Sequence, residues 1–344
     1  MSIIFTRYLY NKDEIQLTFM ECMLKQEDIE ECYYWFYEYY QSGYEEESWQ
    51  LLYKIYFDFY YLKNPKIMHK ISKKHNKWKE TKDVKLALWV IKNLFRFKKN
   101  YTVFLLRIYY KHRNLEVLEP MKELEGVQDK SLIMAIKQKK KNAVVFHLYK
   151  SSNEGLTELI EKVLETTIKT TKNYDITHQL LAAIIKSFKI SSKKKCYYKM
   201  VIEKEMVDIL KSDEYENEVC KTLSKRRLYG ISPNIGCFNL DRDNVDLNHI
   251  FWYHWEYYAY KCPIWRKRFD KYKITVSVDK ELVDFNEEDD YEEFYEKYNY
   301  EPDEQKKEIQ ERSTAVIEKS NIKTWINNIF DKKLEKNIRM KLNY

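Results

Sequence analysis

Only ten of the chain's 344 positions are glycine or proline, five of each. A β-rich chain of that length needs many tight turns. Glycine and proline make turns most readily, one by entering φ > 0 and the other by fixing φ. Helices joined by short polar connections need few of either. The scarcity therefore selects helices before any segment is inspected. With 44% hydrophobic and 33% charged residues, the chain has material for a core and for a solvated surface. Its length exceeds one minimal core and fits one elongated domain or two to three compact ones.

Apolar spacing then places the helices. Asn11 stands before a stripe of Ile15, Phe19, Met20, Met23 and Leu24, which recurs as one helical face should, with Leu17 falling off it. Asp28 is positioned to cap a second helix carrying Ile29, Cys32, Tyr33, Phe36 and Tyr40, and Gly43 stops it. A third is expected from about 45 to 62, with Glu45, Glu46 and Glu47 in the first turn, where acids suit the N-terminal dipole. Asp83 opens another, with Leu86, Trp89, Val90, Leu94 and Phe97 on one side. Residues 102–112 follow after a break. Further helices are expected near 129–149, 156–172, 176–188, 197–211 and 214–227.

Short connections between such helices make helical hairpins. The expected fold is mainly all-α: an irregular hairpin array over residues 1–228, resembling a HEAT-like solenoid. Tetratricopeptide and ankyrin signatures are absent. Gly230, Pro233 and Gly236 fall within seven residues and mark a boundary at 229–247. A smaller α+β module is expected over 248–344. In YKITVSVDKELVDF, Ile274, Val276 and Val278 alternate, Asp279-Lys280 offers a turn, and Leu282, Val283 and Phe285 follow. That is the pattern of a β-hairpin. An acidic helical stretch at 287–318, a last helix near 322–330 and a basic tail complete the chain. Before the hairpin stands FWYHWEYYAYKCPIW (251–265), eight of whose fifteen residues are aromatic. A helix aromatic on nearly every side is normally surrounded by protein, so this one is expected to be core, ended or kinked at Pro263.

Charge is organised in blocks. Residues 66–113 hold 15 Lys or Arg against Glu80 and Asp83 alone. Residues 1–65 carry 12 acids and 5 bases, and residues 279–311 carry 15 acids and 4 bases. A cationic surface attracts nucleic acid by neutralising phosphates and releasing counterions. Lysine predominates over arginine, which suits backbone contact more than base reading. The candidate nucleic-acid-binding residues are Lys70, Lys73, Lys74, Lys77, Lys82, Lys85, Lys92, Arg96, Lys98 and Lys99, with His75, Trp78, Trp89 and Tyr101 as stacking surfaces between them. Two other readings of the block remain: a docking face for acidic protein, including the chain's own 279–311, and an ordinary solvated surface.

Catalytic and metal signatures fail one by one. There is no GxxxxGK[ST], GxGxxG or GxSxG. The six cysteines form no CxxC pair and have no histidine at zinc-finger spacing, so free, mostly buried thiols are expected. His254 and Glu256 make an HxE pair, but the PCxxC that follows it in zinc deaminases is missing after Cys262. Trp252 and Trp255 beside Glu256 would suit a cationic base, yet at i and i+3 they leave one helix face together and do not make two parallel walls. The run EEDDYEE at 287–293 lacks the spaced ligands and glycine of a calcium loop. No enzyme activity, cofactor or metal site is expected. Were there a catalytic site, His254, Glu256 and Cys262 would be the first place to look. The opening MSIIFTRYLYNKDE lacks the apolar run of a secretory signal, and no stretch approaches membrane-span length. A reducing intracellular setting and no membrane partner are expected.

Four segments carry a resemblance: LYNKDEIQLTFMECML (9–24), ECYYWFYEYYQSGYEEESWQLLYKIYFDFYYLKNPK (31–66), FWYHWEYYAYKCPIWRKRF (251–269) and FYEKYNYEPDEQKKEIQ (294–310). They cover about a quarter of the chain. In these it resembles an uncharacterised protein family encoded by giant (nucleocytoplasmic large) DNA viruses. The resemblance implies a viral origin and the host cytoplasm or viral factory as the setting, and it transfers no site residue. The 31 tyrosines and abundant Lys, Asn and Ile agree with an A/T-rich genome. The expected function is a non-enzymatic scaffold or adaptor that binds protein partners and RNA in viral gene expression, in a role similar to an initiation-factor scaffold of translation. A structural or virion-associated protein held by charge-complementary contacts is the alternative.

Overall fold

The computed structural model describes residues 3–104, 106–107, 128–151, 155–188 and 246–298, with Lys307 and Ile329 besides. Among them the chain is mainly helical, with one two-stranded antiparallel sheet. The helices expected near 197–211 and 214–227, the Gly/Pro-rich segment up to 245 and the basic tail lie outside the described residues.

Packing divides the chain differently from the expected border at 229. Of the described residues, 3–48 group with 246–298 as one unit, and 49–188 form the other. The expected array over 1–228 is thus shared between two units. The reason lies in an N-terminal arm that sequence periodicity does not register.

In the first unit, α1 (Lys12–Lys25) and α2 (Ile29–Gln41) pack as a hairpin. Asp28 caps α2 as expected, its Oδ1 accepting from the backbone N–H groups of Glu30 and Glu31 at 2.9 and 3.4 Å. The stripe of α1 is buried, but so are Leu17, Thr18 and Glu21, because the helix is covered on nearly all sides. Asn11 makes no side-chain cap; its backbone bridges to Phe5 and closes the arm.

That arm is stitched on both edges. Toward α2, the Thr6 hydroxyl and Tyr8 N–H donate to Glu38 Oε1 at 2.8 and 2.9 Å, and Arg7 Nε donates to Oε2 at 3.2 Å. Toward the C-terminal aromatic segment, Phe5 N–H donates to Tyr258 O at 3.2 Å, and the Trp265 indole donates to Thr6 O at 2.9 Å. Gly43 sits at φ +93°, and a Cβ there would lie 2.6 Å from Pro263 Cβ. Both Ile264 N–H (3.3 Å) and the Cys262 thiol (3.1 Å) donate to Ser42 O beside it.

The aromatic segment is three short helices, α10 (Leu247–Tyr253), α11 (Trp255–Tyr260) and α12 (Pro263–Phe269), where one helix up to Pro263 is expected. His254, at φ −137°, makes the extra break. Phe251, Trp255, Tyr257, Tyr258, Trp265 and Phe269 are buried as expected, whereas Trp252 and Tyr253 face outward. The hairpin forms where its alternation predicts, β1 (Ile274–Ser277) against β2 (Leu282–Phe285), with Val276 opposite Val283. Helix α13 (Glu288–Tyr298) brings Phe294 onto Phe269, their rings stacked at 4.5 Å.

The border between units falls within α3 (Glu45–Ile55). In place of a helix to residue 62, α3 widens into a π-turn (Tyr56–Tyr60). A 3₁₀ turn (Pro65–Ile67) then leads into α4 (Met68–Thr81) and α5 (Lys85–Phe95), which pack as a hairpin. Next come α6 (Gln128–Lys137) and α7 (Lys141–Lys150), again a packed pair. A single helix is expected there, but Lys139 at φ +54° divides it. Helix α8 (Leu156–Leu164) ends early at Glu165, φ +50°. Helix α9 (Ile176–Ser187) packs on α7 and on the π-turn.

Candidate nucleic-acid interface

The local reason for a lysine face is the spacing within MHKISKKHNKWKET. Met68, Ile71, His75 and Trp78 recur at helical intervals and turn inward. His75 stacks on Trp49 at 4.6 Å with the rings 10° from parallel. The positions between them are left to solvent: Lys70, Lys73 and Lys77 are exposed, and Lys74 is half-buried with its ammonium 5.2 Å from the Trp89 ring centroid. At the C-cap, Lys82 is exposed and sets its ammonium 4.1 Å above Trp78. On α5, Leu86, Val90, Ile91 and Leu94 are buried, while Lys85 and Lys92 are half-exposed. Arg96 and Lys98 are exposed beyond it, and Lys99 is half-buried.

All ten candidate cations thus lie on one hairpin and its flanks. The stacking surfaces do not. His75, Trp78 and Tyr101 are at most 2% exposed, so three of the four aromatic rings are core and only Trp89 reaches the surface. Along the chain the four rings interleave with the lysines. On the helix, positions 75 and 78 share the inward face with 68 and 71.

The electrostatics of α4 are unfavourable as they stand. Lys73 and Lys77 are like charges at i,i+4, a pair costing about 0.2–0.5 kcal/mol on a helix surface. Among the described residues no carboxylate pairs with Lys73, Lys77 or Lys98. Of the two acids in the block, Asp83 uses an oxygen to accept from Lys85 N–H at 2.9 Å, which starts α5. A polyanion laid along this face would relieve the repulsion.

A second cluster in this unit bears chemistry that the sequence reading missed. Asp58, in the π-turn, is fully enclosed. It accepts from Arg107 Nε at 3.1 Å and Nη2 at 2.5 Å, and its Oδ1 lies 2.7 Å from His178 Nε2. His178 Nδ1 is 2.8 Å from the Tyr174 hydroxyl. Burial alone would raise the Asp58 pKa, but Arg107 and His178 outweigh it and hold the carboxyl well below its usual value. A carboxylate–imidazole–hydroxyl chain is a nucleophile-activating arrangement in enzymes. Here burial first, then Asp58, pushes the Tyr174 pKa up. The cluster's hydrogen bonds clamp together the π-turn, residue 107 and α9. Its signal is visible in hindsight, since Asp58 is the one carboxylate inside the aromatic run YFDFYY.

His254, Glu256 and Cys262 each have a separate partner. His254 Nδ1 is 3.0 Å from Glu281 O, Glu256 accepts from the Tyr295 hydroxyl, and Cys262 is buried against Ser42 O. Burial pushes the Cys262 thiol up to about 11, away from the reactive thiolate. Trp252 is exposed and Trp255 buried, so the two indoles do not face one ligand. Among the described residues no three metal-ligating side chains cluster, and no helix is long and apolar enough to cross a membrane. No protein-family model, curated protein or solved structure gives a significant match to the chain.

Proposed function

We propose that the chain is a non-enzymatic helical scaffold that binds RNA along the α4–α5 lysine face and protein partners elsewhere. The observation that carries this reading is the segregation on α4. Its apolar and aromatic residues turn inward, and Lys70, Lys73 and Lys77 are left on the outside, two of them with no described carboxylate partner. A surface of lysines at helical spacing suits the phosphate backbone, and of the four candidate rings the inward turn leaves Trp89 at the surface for stacking. Helical hairpins succeeding one another through this unit support a HEAT-like array as the scaffold. Viral gene expression in the host cytoplasm, including translation, is the setting that the sequence resemblance suggests. Filter binding of single-stranded RNA across salt concentrations tests the reading, and absence of salt-dependent binding at micromolar protein rejects it.

A second reading rests on α13, whose Glu288, Asp289, Glu292, Glu293 and Glu296 are exposed. Such a helix fits a cationic protein surface, including the lysine face of another copy, as in a virion component. Salt-sensitive self-association, and abundance of the chain in purified particles by mass spectrometry, would favour it over RNA binding.

A further inference from the structure

At the start of α4 the second unit holds a cavity of about 570 Å³. That lies within the range of small-molecule pockets, about 300–1,000 Å³. Its walls are the 3₁₀ turn with the first turn of α4, the segment after α8, and the end of α9. Tyr61, Met68 and Ile168 give it an apolar, partly aromatic lining. Lys66, His69, Lys169 and Lys186 surround that lining with cationic and imidazole groups, and Thr166 and Thr167 add hydroxyls.

No carboxylate stands among its described lining residues. The nearby acid on α8, Glu161, uses its Oε1 to accept at 3.1 Å from the backbone N–H of Ile168, itself a lining residue. The Lys186 ammonium is held in place by donating to Leu62 O at 2.9 Å. An apolar floor beneath several cations asks for a ligand with a flat apolar body and an anionic end. The cavity also opens at the same helix whose later turns carry Lys70, Lys73 and Lys77.

We infer that this cavity binds a nucleotide, with the phosphate on Lys66, Lys169 and Lys186 and the base against Tyr61 and Met68. It builds on the reading of α4 as a phosphate-binding face. The nucleotide is either free or the 5′-phosphorylated end of an RNA strand lying along that face.

Isothermal titration of the full chain with AMP, adenosine and inorganic phosphate tests this. AMP is expected to bind at least about tenfold more tightly than either fragment, since both halves of the site are then used. The exposed pair Lys66→Glu/Lys169→Glu is expected to weaken AMP by about tenfold or more with the helical circular dichroism unchanged. Ala183→Trp, which fills the cavity without changing charge, is expected to do the same. Lys70→Glu/Lys73→Glu/Lys77→Glu is expected to weaken long RNA and leave AMP unaffected. A 5′-phosphorylated oligonucleotide binding more tightly than its 5′-hydroxyl form, with the gain lost in Lys66→Glu/Lys169→Glu, places an RNA end in the cavity. Equal binding of the two, with AMP still bound, makes a free nucleotide the occupant. No AMP binding at millimolar concentration, or adenosine binding as well as AMP, overturns the inference. RNA binding that persists in that case leaves the lysine face standing.

Discussion

Asp58 shows how much one residue can decide. Its charge is buried, and Arg107 and His178 keep it ionised. Arg107→Ala strands that charge and is expected to cost about 3–5 kcal/mol of stability by urea unfolding, whereas Arg107→Lys, which keeps a cation, costs less. The pH dependence follows from the sign of the shift. Because the folded pKa is depressed, the Asp58 contribution is complete above the unfolded value of about 3.9 and fades as pH falls through the folded pKa. The stability gap between wild type and Asp58→Asn should therefore narrow as the pH falls below about 4. A gap that does not narrow below about pH 4 contradicts the clamp. Gly43 makes a steric case: φ +93° and the 2.6 Å approach to Pro263 both exclude a side chain. Gly43→Ala should destabilise by more than about 1 kcal/mol, read from the midpoint shift in denaturant. Neither effect is legible in the sequence beyond a hint. Gly43 reads as a helix stop, and Asp58 reads only as an odd acid among aromatics.

At the scale of elements, the parts governed by local rules are the parts the sequence reveals. Asp28 caps α2, the stripe of α1 is buried, and the hairpin pairs Ile274–Ser277 with Leu282–Phe285. Departures come where neighbours distant in sequence decide. The π-turn sits where α9 and Arg107 hold Asp58, and α1 is buried beyond its stripe because the helix is enclosed. The arm over residues 3–10 has no periodicity to read, yet it supplies donors to Glu38 and an acceptor to Trp265. Thr6→Val leaves one oxygen of buried Glu38 with a donor fewer and the backbone acceptor untouched. It should cost about 1–3 kcal/mol, measured by thermal or urea unfolding. Deleting residues 1–8 removes every arm contact to Glu38 and Trp265 at once and should destabilise the first unit far more. A deletion with an unchanged melting profile would show that the arm is only laid on the surface.

For the whole molecule, the helical class is legible because it rests on a property of the full chain, the rarity of turn-forming residues. The grouping of residues 3–48 with 246–298 is not legible, since it depends on tertiary hydrogen bonds across more than two hundred positions. The candidate interface is half legible. Charge counts locate the α4–α5 block, but only helix geometry shows that His75, Trp78 and Tyr101 belong to the core. Single-stranded RNA binding measured against salt, for wild type and Lys70→Glu/Lys73→Glu/Lys77→Glu side by side, is the most direct test of the lysine face. Each phosphate contact contributes about −0.7 to the slope of log K against log salt, so about five contacts give about −3.5 and the triple variant loses about 2 of it. Equal affinities and equal slopes for the two proteins would contradict the assignment.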